Sequence, residues 1–157
     1  MTHQSLLFIN TYYLSPHDWF NITFRLCLAL LFGAVIGLER ELRRKPAGLR
    51  THMLVSLGSA LFVLALLQTA AVSPDYDPLS RVIQGVAAGV GFLGAGEILR
   101  ESPKEESQRT KVRGLTSAAA IWISAALGIA AGCGLWQLGL ISTVLSFLVL
   151  NVLKKLQ

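Results

Sequence analysis

The chain has 157 residues, of which 53% are hydrophobic and 15% charged, and its formal net charge is +5. A soluble domain usually carries about 25% charged residues; here long stretches hold almost none, which argues against a soluble domain and for a protein that crosses a membrane several times. The positive charge does not point to nucleic acid. It is confined to short blocks, chiefly residues 40–50 and 100–113, that lie between apolar runs, and no aromatic-interleaved basic groove accompanies it.

In chain order, the N-terminus does not read as a signal peptide. It has no basic leading region, and its short apolar run at 6–9 stops at Asn10. Tyr12, Tyr13, Trp19 and Phe20 are expected to form an interfacial belt before the first span.

That span is expected over about 22–38. Arg25, Ala29, Gly33 and Gly37 recur every four residues and share one helix face, and Gly33 and Gly37 form a G-x-x-x-G packing pair. The span closes on Glu39, Arg40 and Glu41, and Pro46 and Gly48 mark the turn that follows. A second span is expected over about 51–72. His52 opens it and reads as an interfacial histidine, with pH sensing as the alternative. The connection after it carries Asp75 and Asp77.

The third span, about 82–99, holds five glycines and reads as the centre around which the others pack. In water each interior glycine costs a helix roughly 1 kcal/mol against alanine. In a bilayer the backbone must bond to itself, and glycine lets a second helix come close. Gly85 and Gly89 share a face that is expected to meet another helix, and Gly94 and Gly96 are further packing positions. Gly89, Gly91 and Gly94 also spell G-x-G-x-x-G, but that fingerprint needs a strand before it and a helix opening after it, whereas here it lies within one apolar segment. Spans four and five are expected over about 115–131 and 135–153, with Gly128 and Gly132 as a third G-x-x-x-G pair.

The reading is an all-α, polytopic bundle of about five transmembrane helices in a single domain, 1–157, with no soluble C-terminal domain. The blocks after spans one and three carry five basic residues each, the connections after spans two and four carry none in their cores, and Lys154 and Lys155 close the chain. The positive-inside rule then places the N-terminus outside and the C-terminus inside. The order span, acidic end, basic block, Gly-Leu, span occurs twice, with Gly48-Leu49 and Gly114-Leu115 at matching points. It is consistent with a parallel repeat, or with small residues and orientation charges recurring independently.

Two charge groups stand out. At the outer ends, Arg25 and Arg81 read either as snorkelling anchors or as partners of Asp75 or Asp77, so the outer set is Arg25, Asp77 and Arg81. At the inner ends, Glu39, Arg40, Arg50, Glu97 and Arg113 converge if the spans pack together. They read as solvated interface charges, or as a site for an ion, a phosphate or a docking partner. An unpaired glutamate at the edge of the hydrocarbon is costly, so Glu39 is expected to pair with Arg50 or Arg113. Cys27 and Cys133 read as small apolar fillers. No metal-ligand cluster, nucleophile–base pair or Walker loop is visible, so neither an enzyme, a metal nor a cofactor is expected.

Four motifs carry a resemblance: GLERE at 37–41, AGLRTHMLVSLGSALF at 47–62, RVIQGVAAGVGFLGAG at 81–96 and VRGLTSAAAIW at 112–122. Together, and in this order, they resemble the MgtC/SapB family of bacterial membrane proteins, over about 28–135. The resemblance implies a cytoplasmic (inner) membrane protein of about five spans. It implies roles in magnesium homeostasis, in acid or other stress adaptation and, in pathogens, in virulence. It also implies action by binding other membrane proteins, among them the membrane sector of ATP synthase. The expected partners are thus the lipid bilayer, another membrane protein or a second copy of the chain, and no nucleic acid. A small ion or solute transporter or channel is the alternative. The chain departs from the family in two respects: some members carry a soluble C-terminal domain that is not expected here, and the connection at 101–111 is longer and more charged.

The orientation has a direct check. In a chain whose native cysteines are replaced, a cysteine at Asp75 is expected to react with a membrane-impermeant maleimide on intact cells, and one at Lys104 only after permeabilisation. The opposite labelling would invert the topology.

Overall fold

The computed structural model describes residues 18–69, 78–101 and 113–152, and every secondary-structure element within them is helical. The helices are α1 (Trp19–Leu42), α2 (Leu49–Thr69), α3 (Pro78–Glu101), α4 (Leu115–Gly132) and α5 (Trp136–Val152). The first four are long and apolar enough to cross a membrane. Helix α5 has 17 residues, a length of ~25 Å, at the short end of what spans a hydrocarbon core. Asp18 caps α1 by accepting a bond from the Asn21 amide at 3.1 Å. The α1 helix runs to Leu42, past the expected end at 38, because Glu39 and Arg40 sit inside the bundle rather than at its rim. Helices α2 and α4 start at Leu49 and Leu115, the leucines of the two Gly-Leu steps.

Both α1 and α4 end in a Schellman motif. After α4, Gly134 N–H bonds Ala131 O and Leu135 N–H bonds Ala130 O, each at 2.9 Å. After α1, Arg44 N–H bonds Glu41 O at 2.9 Å and Lys45 N–H bonds Arg40 O at 3.0 Å. The pivot residue is left-handed in both, with φ 77° at Gly134 and φ 53° at Arg44. For arginine that conformation costs about 1 kcal/mol, because its Cβ crowds the carbonyl that glycine leaves free.

The bundle centres on α2 and α4. The α4 helix touches each of the other four helices, and 56% of its most apolar window is buried, against 17% for α3. Helix α2 is gripped from two sides by glycines. A Cβ at Gly33 of α1 would lie 2.6 Å from His52 O and 2.9 Å from Met53 Cα, and one at Gly37 would lie 2.8 Å from Leu49 Cα. From α4, a Cβ at Gly128 would run into the Ser56 backbone, and one at Gly132 would lie 2.9 Å from Ala60 O. Ser56 adds a bond from its hydroxyl to Ala29 O at 2.7 Å. Around these contacts the core joins four alanines, Ala29, Ala60, Ala120 and Ala131, with three large side chains, Phe32, Ile36 and Leu127. Lipid offers no hydrophobic drive for helices to associate, so the attraction comes from close backbone packing of this kind.

The glycine-rich helix is therefore not the centre. It lies at the edge, packed through Val90 and Gly94 onto Ile121, Ala125 and Ala118 of α4. Gly94 meets Ala118 at 3.4 Å from an added Cβ, whereas Gly85, Gly89 and Gly96 meet nothing within 4 Å. The expectation that these three join helices does not hold among the described residues. An edge helix contacts its neighbour along one face, and five glycines spread around it cannot all lie on that face.

The two glycine classes separate in a stability measurement. Gly128→Val is expected to lower stability by at least ~2 kcal/mol, since its branches would enter the α2 backbone. Gly85→Ala is expected to raise it by roughly 0.5–1 kcal/mol through helix propensity. Thermal unfolding of both variants in detergent checks the contrast.

Candidate functional site at one end of the bundle

The end of α1 and the starts of α2 and α4 lie together at one end of the bundle, with the ends of α3 and α5. The last turns of α1 set Glu39 and Arg43 four residues apart, on one helix face. Glu39 accepts bonds from Arg40 Nε and from Arg43 Nε. Glu39 and Arg40 are only 4% and 3% exposed, so this ion group is inside the protein. Arg43 is half-buried and extends it, donating from Nη2 to Asn151 Oδ1 at 2.8 Å, which ties α1 to the last turn of α5. Glu41 points the other way and accepts the Leu49 amide at 3.0 Å, capping the positive end of α2.

His52 is fully buried between the glycines of α1. Its Nδ1 donates to Gly48 O at 2.8 Å, which leaves Nε2 as an acceptor with no partner. The two α1 glycines bring α2 close enough to close over the ring. Glu97, on α3, is also buried, and its Oε1 has no partner. Among the described residues no bond joins Glu97 to the Glu39 group, and no cluster of three or more His, Cys, Asp or Glu side chains is placed to hold a metal ion.

The expected set of Glu39, Arg40, Arg50, Glu97 and Arg113 thus divides. Glu39 and Arg40 form the network, Glu97 is buried apart from it, and Arg50 and Arg113 are exposed. Glu39 pairs with Arg40 and Arg43, not with Arg50 or Arg113. The reason is local: α1 already orders its own arginines, so pairing within the helix needs no further chain to be fixed. Sequence reasoning missed Arg43 and Asn151. The i,i+4 spacing of Glu39 and Arg43 was a legible signal; the contact with Asn151 depends on how α5 docks.

At the other end, Arg25 is held inside the bundle rather than at its surface, as a snorkelling anchor would be. It is 5% exposed, and its Nε and Nη1 donate at 2.9 Å to Asn21 Oδ1 and to Gly132 O. It therefore closes the C-terminus of α4, where free carbonyls attract a cation. Asp75 and Asp77 lie outside the described residues, and Arg81 is exposed. Of the two free cysteines Cys133 is buried, as a filler would be, while Cys27 is exposed on α1.

Comparison with known proteins gives a consistent picture. A profile described as the MgtC family matches residues 26–157. Protein SrpB of Synechococcus elongatus is 55% identical over 152 residues, covering 95% of this chain and 84% of that protein. YhiD of Escherichia coli is 43% identical over 137 residues, covering 84% and 60%. Protein MgtC of Salmonella typhimurium is 41% identical over 120 residues, covering 76% and 47%. The chain thus spans three-fifths of YhiD and about half of MgtC. No solved structure matches it.

Removing the carboxylate from the buried network tests its structural weight. Glu39→Gln leaves Arg40 buried without a counter-charge and is expected to cost ~3–5 kcal/mol. Arg50→Gln, at an exposed position, is expected to stay within ~0.5 kcal/mol of the parent. Unfolding midpoints of the two purified variants report the difference.

Proposed function

This chain belongs to the MgtC family, and from that premise we propose that it serves magnesium homeostasis and stress adaptation in the cytoplasmic membrane, without catalysis, by binding partner proteins inside the bilayer. The observation that carries this reading is the open groove between α2 and α3. Gly58, Gly85 and Gly89 line it together with Leu54, Phe62 and Leu93, and among the described residues no atom comes within 4 Å of a Cβ position on any of the three glycines. A lipid-facing helix gains nothing from glycine, whereas a helix that receives another helix does. The groove holds about 570 Å³ and is walled almost entirely by apolar groups, the surface a transmembrane segment of a partner would seat on. The magnesium connection is supported by the relatives, since YhiD carries a provisional name as a magnesium transporter. The membrane sector of ATP synthase is the first partner to test.

That same name favours a second reading, transport, and so does the buried, unpartnered carboxylate oxygen of Glu97. An ionisable group held inside a membrane protein is where a passing cation would be expected to dwell. Purified protein in liposomes loaded with a magnesium-sensitive dye separates the two: magnesium entry above protein-free vesicles would favour transport.

For the partner reading, the double variant Gly85→Leu with Gly89→Leu is decisive. Both positions are open, so the variant is expected to be at least as stable as the parent, with helix propensity adding roughly 1 kcal/mol. It is expected to lose co-purifying membrane partners and to fail to restore growth of a deletion strain at low magnesium. Full restoration at native expression would remove the groove from the mechanism.

A further inference from the structure

The same capping motif occurs twice in this chain with different pivots. Gly134 ends α4 in the left-handed conformation at no steric cost, whereas at the end of α1 the same conformation is imposed on Arg44. Glycine would fold there more easily, so the fold does not need this side chain. Strain of this kind persists where the side chain serves something else. Arg44 is exposed, and its guanidinium bonds none of the described residues.

Its surroundings indicate what it serves. Leu38 and Leu42, on the same end of α1, are 50% and 77% exposed, an apolar surface that suits hydrocarbon. A long cationic side chain just beyond such an apolar surface can reach the lipid headgroups. The charge at this end is unbalanced. Arg40, Arg43, Arg44, Lys45, Arg50 and Arg113 stand there against Glu39, Glu41 and Glu97 among the described side chains. Glu39 is used by Arg40 and Arg43, and Glu41 by the Leu49 amide. Arg44, Arg50 and Arg113 are exposed, and no ion pair joins them to another described residue. A planar guanidinium donates two parallel bonds to a phosphate, and basic residues at a membrane surface attract anionic lipid.

We propose that Arg44 binds the headgroup phosphate of an anionic phospholipid, with Arg50 and Arg113 as flanking cations of the same bundle end. The site is independent of which leaflet this end faces and of the function proposed above. The strain at Arg44 is then the cost of presenting a guanidinium, rather than a bare glycine, to the lipid.

The test is thermal unfolding of the delipidated, full-length protein in neutral detergent, titrated with phosphatidylglycerol or with phosphatidylcholine. Without lipid, Arg44→Gly is expected to melt about 2–4 °C above the parent, because the strain is gone. With phosphatidylglycerol, the half-saturating concentration is expected to rise about fivefold. Arg44→Asn, which also tolerates the left-handed conformation, should behave in the same way, while Arg44→Lys should keep most of the lipid response. An unchanged phosphatidylglycerol titration in Arg44→Gly would overturn the proposal, and so would an equal response to phosphatidylcholine. Equal protection by inorganic phosphate alone would show that the site is not a lipid site. A lower melting point for both Arg44→Gly and Arg44→Asn without lipid would show that the side chain serves the fold.

Discussion

Everything else in the bundle depends on how closely the backbones of α1 and α4 approach α2. Gly33 and Gly37 press on it from one side, Gly128 and Gly132 from the other, and at each glycine an added methyl would meet backbone atoms. In lipid, burial of apolar area does not distinguish a folded bundle from separated helices, so close packing and interhelical bonds must supply the attraction. The bond from Ser56 to Ala29 O crosses the α1 contact, and it can form because the helices are close. The register of these contacts also sets what lies at each end. Once Gly37 sits on Leu49, the Glu39–Arg43 turn lies beside the start of α2, and once Gly132 sits on Ala60, the end of α4 comes within reach of Arg25.

The buried charges follow from that register. An arginine or glutamate inside a membrane bundle is tolerated only when its charge and its hydrogen bonds are met. Arg25 meets the condition at the free carbonyls of α4, and Arg40 and Arg43 meet it by sharing Glu39. Both solutions join or brace helices, which gives them a structural role that orientation alone would not require. Glu97 and His52 are the exceptions, each with one buried atom left without a partner. An unmet buried polar atom is where a proton, a water or an ion would be accommodated, which is why Glu97 gives the transport reading its support.

The α3 helix follows a different logic. It shares composition with the packing segments and yet stands at the edge, with Gly85, Gly89 and Gly96 open to the surroundings. A chain of this length provides α3 with one extensive neighbour, α4, and a thin contact with α2. The remaining faces keep the small residues that close approach would use. A helix rich in glycine can thus mark an external contact as readily as an internal one.

Much was legible in the residues alone. The charge-free stretches imply helices, because a bilayer leaves the backbone no other partner, and four motifs in order imply the MgtC family. The tight G-x-x-x-G pairs at Gly33–Gly37 and Gly128–Gly132 were also readable, since spacing by four residues puts both glycines on one face. What only the tertiary structure decided was partnership. Spacing cannot say that Gly85–Gly89 meets no described residue while Gly33–Gly37 packs on α2, because that depends on which helix occupies the centre. Nor could it say that Glu39 would take Arg43 rather than Arg50, or that Arg25 would close a helix more than 100 positions away. Helix periodicity fixes which side chains share a face; packing in three dimensions determines what that face meets.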